Sequence, residues 1–171
     1  RVYYSGYIPV NTTDQRLPAL KQPPLIRENR LYQADWLMRF YGFKVDEIVD
    51  DRYPNLDLEV DPKLSWALRH PEQFPVDVNT ADYALLLRIP GVGVKSAKMI
   101  LMARRFSRLR SEDLKKIGVV MKKAKFFITC YELPVMTINE TSPEYVRRVL
   151  TEKKVSRKST PPGQLTLFFP E

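Results

Sequence analysis

Residues 86–97 read LLRIPGVGVKSA, and this stretch carries the strongest local signals in the chain. Proline fixes the backbone angle φ and glycine permits positive φ, so residues 90–93 predict a tight turn. Before the turn, Asn79 as an N-cap, followed by Asp82, predicts a helix that runs to Leu87. After the turn, apolar residues at helical spacing predict a helix over 94–106. The stretch therefore predicts two helices joined by a glycine turn.

A second copy of this pattern follows, since Gly118 lies 27 residues after Gly91. Further residues of the two copies align at the same offset: Leu87 with Leu114, Arg88 with Lys115, Ala97 with Ala124, and Ile100 with Phe127. A repeat of this kind defines the architecture, and the small alanine after each turn lets two helices cross closely. In the second copy we predict a helix over 112–116, capped by Ser111, and another over 120–130.

The chain as a whole predicts a mainly α protein in five segments. These are an extended strand or arm (1–22), a helical connector (23–76), the two turn units (77–131), a C-terminal helical segment (132–151) and a flexible tail (152–171). In the connector, helices are predicted over 25–41, 45–49 and 62–68, separated by a solvated acidic stretch over 50–60. We expect Trp36 and Trp66 to lie in the core.

The net charge of +8 is unevenly distributed. Residues 1–84 contain 10 Lys and Arg against 13 Asp and Glu, a net charge of −3, whereas residues 85–171 contain 18 against 7, a net charge of +11. Clustered Lys and Arg release counterions from nucleic-acid phosphates, so this asymmetry suggests a polyanionic partner. A basic face kept for solubility gives the same pattern, and charge alone does not separate the two interpretations.

Several classes of protein are excluded by composition. A single cysteine and a single histidine argue against an internal disulfide, most zinc sites and Ser-His-Asp catalysis. No apolar run approaches the roughly 20 residues of a membrane-spanning helix, so we expect no membrane partner. The single cysteine points to a reducing compartment, and together with a nucleic-acid partner it suggests a cytoplasmic, nucleoid-associated protein. The chain starts at Arg1 without an initiator Met, which suggests a piece of a longer polypeptide.

The predicted turn has the chemistry of a phosphate-binding site. Glycines leave no Cβ between backbone and ligand, so the amides of Gly91, Val92 and Gly93 can point at one phosphate oxygen at the start of the next helix. Basic and polar residues complete the set of predicted DNA contacts: Lys95, Ser96 and Lys98 in the first copy, and Gly118, Lys122 and Lys123 in the second. Such contacts position duplex DNA without reading its sequence.

Residues 86–97 resemble the helix-hairpin-helix motif of DNA-repair proteins, and paired copies of that motif form a tandem helix-hairpin-helix domain. The resemblance implies that the carbonyls of Leu87, Ile89 and Val92 hold a monovalent cation that bridges to the phosphate. The second copy departs from the motif, because Val120 replaces the second glycine and Ile117 replaces the proline.

A second resemblance covers residues 1–130. Three strings carry it: RVYYSGYIPVN, LPALKQPPLIRENRLYQADWLMRFYGF and PNLDLEVDPKLSWALRHPEQFPVDVNTA. They are similar to the C-terminal part of a bacterial family of radical SAM proteins of DNA modification or repair. The resemblance implies a uracil-DNA-glycosylase-like partner. The family's Cys-x3-Cys-x2-Cys motif is absent, so an iron–sulfur cluster and S-adenosylmethionine are expected only with an upstream domain. No cofactor is expected in this chain itself.

Two other interpretations of the turns remain open. A helix-hairpin-helix glycosylase would need a catalytic carboxylate past the turn, where Glu112 and Asp113 lie. These carboxylates are at the start of a predicted helix, where they stabilise the helix dipole instead. A module that docks proteins through its glycine turns would have no DNA affinity.

The tail ends in a second motif. Gln164, Leu165, Thr166, Leu167 and Phe168 resemble the pentapeptide by which bacterial replication and repair proteins bind the sliding clamp. Gln164 would supply a hydrogen-bonding group, and Leu165, Leu167 and Phe168 would fill an apolar cleft. The alternative is a tail that packs on its own chain.

Overall fold

The computed structural model describes residues 3–8, 16, 24–133 and 136–152. Within these ranges the protein is mainly helical, as predicted. The helices are α1 (Leu25–Tyr41), α2 (Val45–Ile48), α3 (Pro62–Arg69), α4 (Tyr83–Arg88), α5 (Val94–Ala103), α6 (Ser111–Ile117), α7 (Met121–Ala124), α8 (Ile138–Thr141) and α9 (Pro143–Thr151). Two short strands, β1 (Val76–Asp77) and β2 (Ile128–Thr129), form a parallel pair.

Local signals set most of the helix ends. Helix α1 ends at Gly42, whose φ of 70° is the left-handed conformation that glycine adopts easily. The Asp61 side chain accepts a hydrogen bond from the amide of Leu64 and so begins α3, and Ser142 caps α9 in the same way. The predicted start of α3 at residue 62 is confirmed.

The predicted cap of α4 is wrong by three residues. The N-cap is Asp82, whose carboxylate accepts a hydrogen bond of 2.7 Å from the amide of Leu85. The Asn79 side-chain oxygen instead accepts a bond of 2.8 Å from the amide of Leu109. Asn79 therefore holds two distant loops together, which its local sequence could not reveal.

The second unit also differs from its prediction. Helix α7 ends at Ala124, and residues 128–129 pair with β1 where a helix over 120–130 was predicted. The cause is a contact distant in sequence: the amide of Val76 donates to the carbonyl of Phe127 at 2.9 Å. Three consecutive buried side chains, from Phe126 to Ile128, suit this extended segment better than one face of a helix.

The described part of the N-terminal arm forms no strand. Residues 3–8 lie against α1, where the Tyr32 hydroxyl accepts a hydrogen bond from the amide of Tyr4 and donates to its carbonyl. The amide of Gly6 donates to the Glu28 carboxylate at 2.8 Å. Side chains of α1 thus satisfy backbone groups that a neighbouring strand would otherwise pair.

One hydrophobic core runs through the connector, the turn units and α9. Helix α3 packs against α1, α2 and α9. Trp66 is buried as predicted, whereas Trp36 is 60% exposed, so that prediction is wrong. The acidic stretch is not simply solvated, because Arg147 of α9 forms ion pairs with Asp57 at 2.6 Å and Glu59 at 2.7 Å.

The two turn units pack on each other through Gly91. Its carbonyl accepts a hydrogen bond of 2.9 Å from the amide of Val120 in the second turn. A Cβ on Gly91 would lie 2.7 Å from the Val120 carbonyl oxygen, and its φ is 89°. Gly91 is therefore required by the chain's own packing as well as by its backbone conformation.

We expect Gly91→Ala to lower the free energy of unfolding by about 2 kcal/mol or more, because the side chain must adopt a left-handed conformation and displace backbone atoms. Urea denaturation followed by circular dichroism measures this loss.

Gly93→Ala is the matched control. Gly93 has φ of −94°, and a Cβ there would meet only the Tyr41 hydroxyl oxygen, at 3.7 Å. We expect a change within roughly 0.5 kcal/mol of zero. Equal losses in the two variants would contradict the packing described here.

Candidate nucleic-acid interface

The first turn leaves backbone donors open. The amide of Val92 donates to the Ile89 carbonyl at 3.1 Å, but the amides of Gly91 and Gly93 have no acceptor among the described residues. Gly93 is the N-cap of α5, and no side chain caps this helix. The turn and the start of α5 therefore present unpaired N–H groups, which attract anions.

Exposed lysines flank these donors. Lys95 and Lys98 lie in the first two turns of α5, and their side chains are exposed. Neither has a carboxylate within ion-pair distance among the residues that the structure describes. Both charges are available to a polyanion.

The second turn is closed by internal hydrogen bonds. The amides of Gly118, Val119 and Val120 donate to the carbonyls of Lys115 (3.0 Å), Leu114 (2.9 Å) and Gly91 (2.9 Å). The Gly118 amide is therefore not free to bind a phosphate. The two turns align in sequence but differ in their backbone donors.

Three other predicted contact residues have different surroundings. Ser96 is buried, and its hydroxyl donates to the Gly118 carbonyl at 3.2 Å, so it joins the two units. Lys123 forms an ion pair with Asp61 at 2.6 Å, which ties α7 to the start of α3. Lys122 is exposed, so of these three residues it alone remains accessible to a ligand.

Of the three carbonyls predicted to hold a monovalent cation, that of Val92 is bound by a lysine. The ammonium of Lys63 donates a hydrogen bond of 2.6 Å to the Val92 carbonyl. The Ile89 carbonyl accepts from the amide of Val92, and Leu87 lies in the last turn of α4 with its side chain buried. The Val92 oxygen, at least, already has a positively charged partner.

Lys63 is an unusual lysine, because only 7% of it is exposed. Its ammonium lies 4.7 Å from the centre of the Tyr41 ring. Burial lowers the pKa of Lys63 to about 7; Asp61 raises this pKa, and Arg88 and Lys123 lower it further. A lysine ordinarily stays charged at physiological pH, but the pKa of Lys63 lies within that pH range.

The sequence analysis missed Lys63, although a signal was present. Lys63 lies three and four residues before Trp66 and Ala67, which are both buried. Residues at this spacing share one face of a helix, so the periodicity of α3 places a lysine on its buried face. A buried lysine calls for a specific acceptor, and the Val92 carbonyl supplies it.

Asp113, one of the two residues considered for catalysis, has a structural role. The Asp113 carboxylate accepts a hydrogen bond of 3.0 Å from the amide of Arg110 at the start of α6, and Glu112 lies exposed beside it. No group of three metal-ligating side chains occurs within the described ranges. The geometry thus agrees with helix capping by Asp113.

Comparisons with family models, with curated proteins and with solved structures found no match to this chain. The resemblances to the helix-hairpin-helix motif, to the radical SAM family and to the clamp-binding pentapeptide therefore rest on sequence motifs alone.

Two further predictions concern the C-terminal tail and the absence of a membrane-spanning helix. The clamp-binding residues Gln164, Leu165, Leu167 and Phe168 lie outside the described residues. Among the helices described, none has the length and apolar character needed to cross a membrane.

We expect the stability of the wild type to rise as the pH increases from about 7 toward the ordinary pKa of lysine, because only the unfolded chain holds the Lys63 proton in that window. The slope is at most about 1.4 kcal/mol per pH unit.

Lys63→Met keeps the length of the side chain and removes its charge, so this component of the slope should vanish. Urea unfolding of both proteins at several pH values measures the difference. Parallel stability curves would contradict the burial of a titrating lysine.

Proposed function

We propose that this chain is a DNA-binding region that grips the phosphate backbone of duplex DNA through its first glycine turn, without sequence specificity. The observation that supports this most directly is the pair of unpaired amides on Gly91 and Gly93 beside the exposed lysines Lys95 and Lys98.

Each part of this arrangement suits a phosphate. The amides supply directed donors, the positive end of the α5 dipole adds to their attraction, and the lysines contribute charge without a fixed geometry. None of these groups distinguishes one base from another, so the predicted binding depends strongly on salt and little on sequence.

The two units have different tasks in this proposal. The first unit binds the phosphate, because its donors are open. The second unit supports the first by hydrogen bonding to Gly91 and adds the exposed charge of Lys122. The proposed architecture is therefore a tandem helix-hairpin-helix domain in which the first turn is open to a phosphate and the second is closed.

The motifs suggest the setting of this function. We propose that the chain serves a DNA repair or modification protein of radical SAM type and holds DNA while another module performs the chemistry. Any iron–sulfur cluster and S-adenosylmethionine would belong to an upstream domain, and a uracil-DNA-glycosylase-like protein is the proposed partner. The capping role of Asp113 favours this interpretation over a glycosylase.

The combination Gly93→Val and Lys95→Glu tests the turn. A Cβ at Gly93 would meet only the Tyr41 hydroxyl oxygen, at 3.7 Å, so the backbone accepts a side chain here, and the larger valine is chosen to cover the amide. Circular dichroism of the double variant checks that it folds. We expect the double variant to lose at least tenfold in affinity for an arbitrary duplex, or about 1.4 kcal/mol. Fluorescence anisotropy over a salt titration measures the loss.

Lys122→Glu is the comparison, because Lys122 is the counterpart of Lys95 in the closed second unit and carries the same charge change. We expect a smaller loss, of the size of one phosphate contact in the salt dependence. Unchanged affinity in the double variant would show that the turn does not contact DNA. Base release by the wild type alone would favour the glycosylase alternative.

We also propose that the tail binds a bacterial sliding clamp. Deletion of residues 164–168 should abolish retention of the chain on an immobilised clamp, while DNA affinity stays at the wild-type level. Gln164→Ala with Phe168→Ala is the smaller change with the same expectation, since it removes one polar group and one apolar anchor. Full retention after the deletion would reject this partner.

A further inference from the structure

The buried lysine of α3 acts on the same peptide group that offers an open donor. Lys63 binds the carbonyl oxygen of Val92, and this carbonyl and the Gly93 amide belong to one peptide unit. The only cis peptide bond among the described residues is Phe74–Pro75. In a trans unit the C=O and the N–H point in opposite directions, so an ammonium below the turn aims the Gly93 amide away from the core.

The charge of Lys63 also affects the strength of that donor. A cation on the oxygen of a peptide group draws electron density from its nitrogen, and hydrogen bonds in such a chain strengthen one another. A protonated Lys63 therefore makes the Gly93 amide a better donor to an anion, and an anion there favours the protonated lysine.

We propose that Lys63 is a positioning residue that serves the turn as a built-in cation, holding the Val92 carbonyl from the inside so that the Gly93 amide is aimed and polarised toward a DNA phosphate. This inference rests on the proposed function. It assigns to a side chain of this protein the place that the motif resemblance gave to a monovalent metal ion.

The charge of Lys63 is influenced by groups on α3 itself and on helices α1, α4 and α7. Asp61, at the start of α3, attracts the ammonium, but it is also paired with Lys123 of α7. Arg88 of α4 repels it and is paired with Glu47 of α2 at 2.7 Å. Helix α1 contributes the Tyr41 ring, a neutral face that attracts a cation. Lys63 therefore has no carboxylate of its own, and its charge is balanced best when an anion lies across the turn.

The test is DNA affinity at constant pH and ionic strength in Lys63→Met, which keeps the length of the side chain and removes the ammonium that holds the Val92 carbonyl. We expect a loss of about fivefold or more in affinity for an arbitrary duplex.

His70→Gln is the control. His70 packs against Trp66 at the end of the same helix and takes no part in the turn, so this variant should keep the wild-type affinity. Wild-type affinity in Lys63→Met, or an equal loss in His70→Gln, would overturn the inference.

A second arm uses the free protein, so its outcome does not depend on DNA binding. The NMR shift of the Gly93 amide proton should lie at higher field in Lys63→Met than in the wild type, because the amide loses the polarisation that the ammonium causes. A wild-type protein that binds no duplex rejects the proposed function. The amide shift still decides whether Lys63 controls the turn, and an unchanged Gly93 shift in Lys63→Met overturns that.

The metal ion itself is tested by exchanging salts. If the ammonium of Lys63 fills the cation position, DNA affinity should be equal in potassium chloride and in tetramethylammonium chloride of the same ionic strength. A wild-type protein that needs potassium for binding would overturn the inference.

Discussion

The contact between the two turns, through the backbone of Gly91, determines what each turn can do. The carbonyl of Gly91 accepts the amide of Val120, and this bond requires an approach so close that no side chain fits between the units. The bond uses up the last free donor of the second turn. The corresponding amide of the first turn, on Gly93, is left without a partner among the described residues. The second unit thus supports the first, whose turn keeps unpaired N–H donors.

The charges near the two turns follow the same division. Beside the open turn, Lys95 and Lys98 are exposed, and Lys63 approaches from the core side. Beside the closed turn, Lys123 is paired with Asp61 and stabilises the contact between α7 and α3. Net charge located the basic half of the chain, but only the pairing of individual side chains distinguishes charges that hold the fold together from charges left for a ligand.

The sequence was informative wherever a structure is set by neighbouring residues. The end of α1 at Gly42 and the start of α3 at Asp61 follow from local chemistry, and the predictions there are confirmed. Predictions from the sequence were wrong where a contact with a residue distant in the chain determines the local structure. Asn79 is held by Leu109, and residues 128–129 are held by β1, so a cap and a helix were predicted in the wrong places. Lys63 belongs to this second group: its spacing placed it on a buried face, but its acceptor lies in another segment of the chain.

The most direct test of the account is an NMR titration of the isotope-labelled protein with a short duplex of arbitrary sequence, following the backbone amides of both turns at once. The account predicts that the amide protons of Gly91 and Gly93 shift to lower field as hydrogen bonds to phosphate form, while those of Gly118, Val119 and Val120 hardly move. Equal shifts in the two turns, or shifts confined to the second, would contradict the claim that one open turn grips DNA.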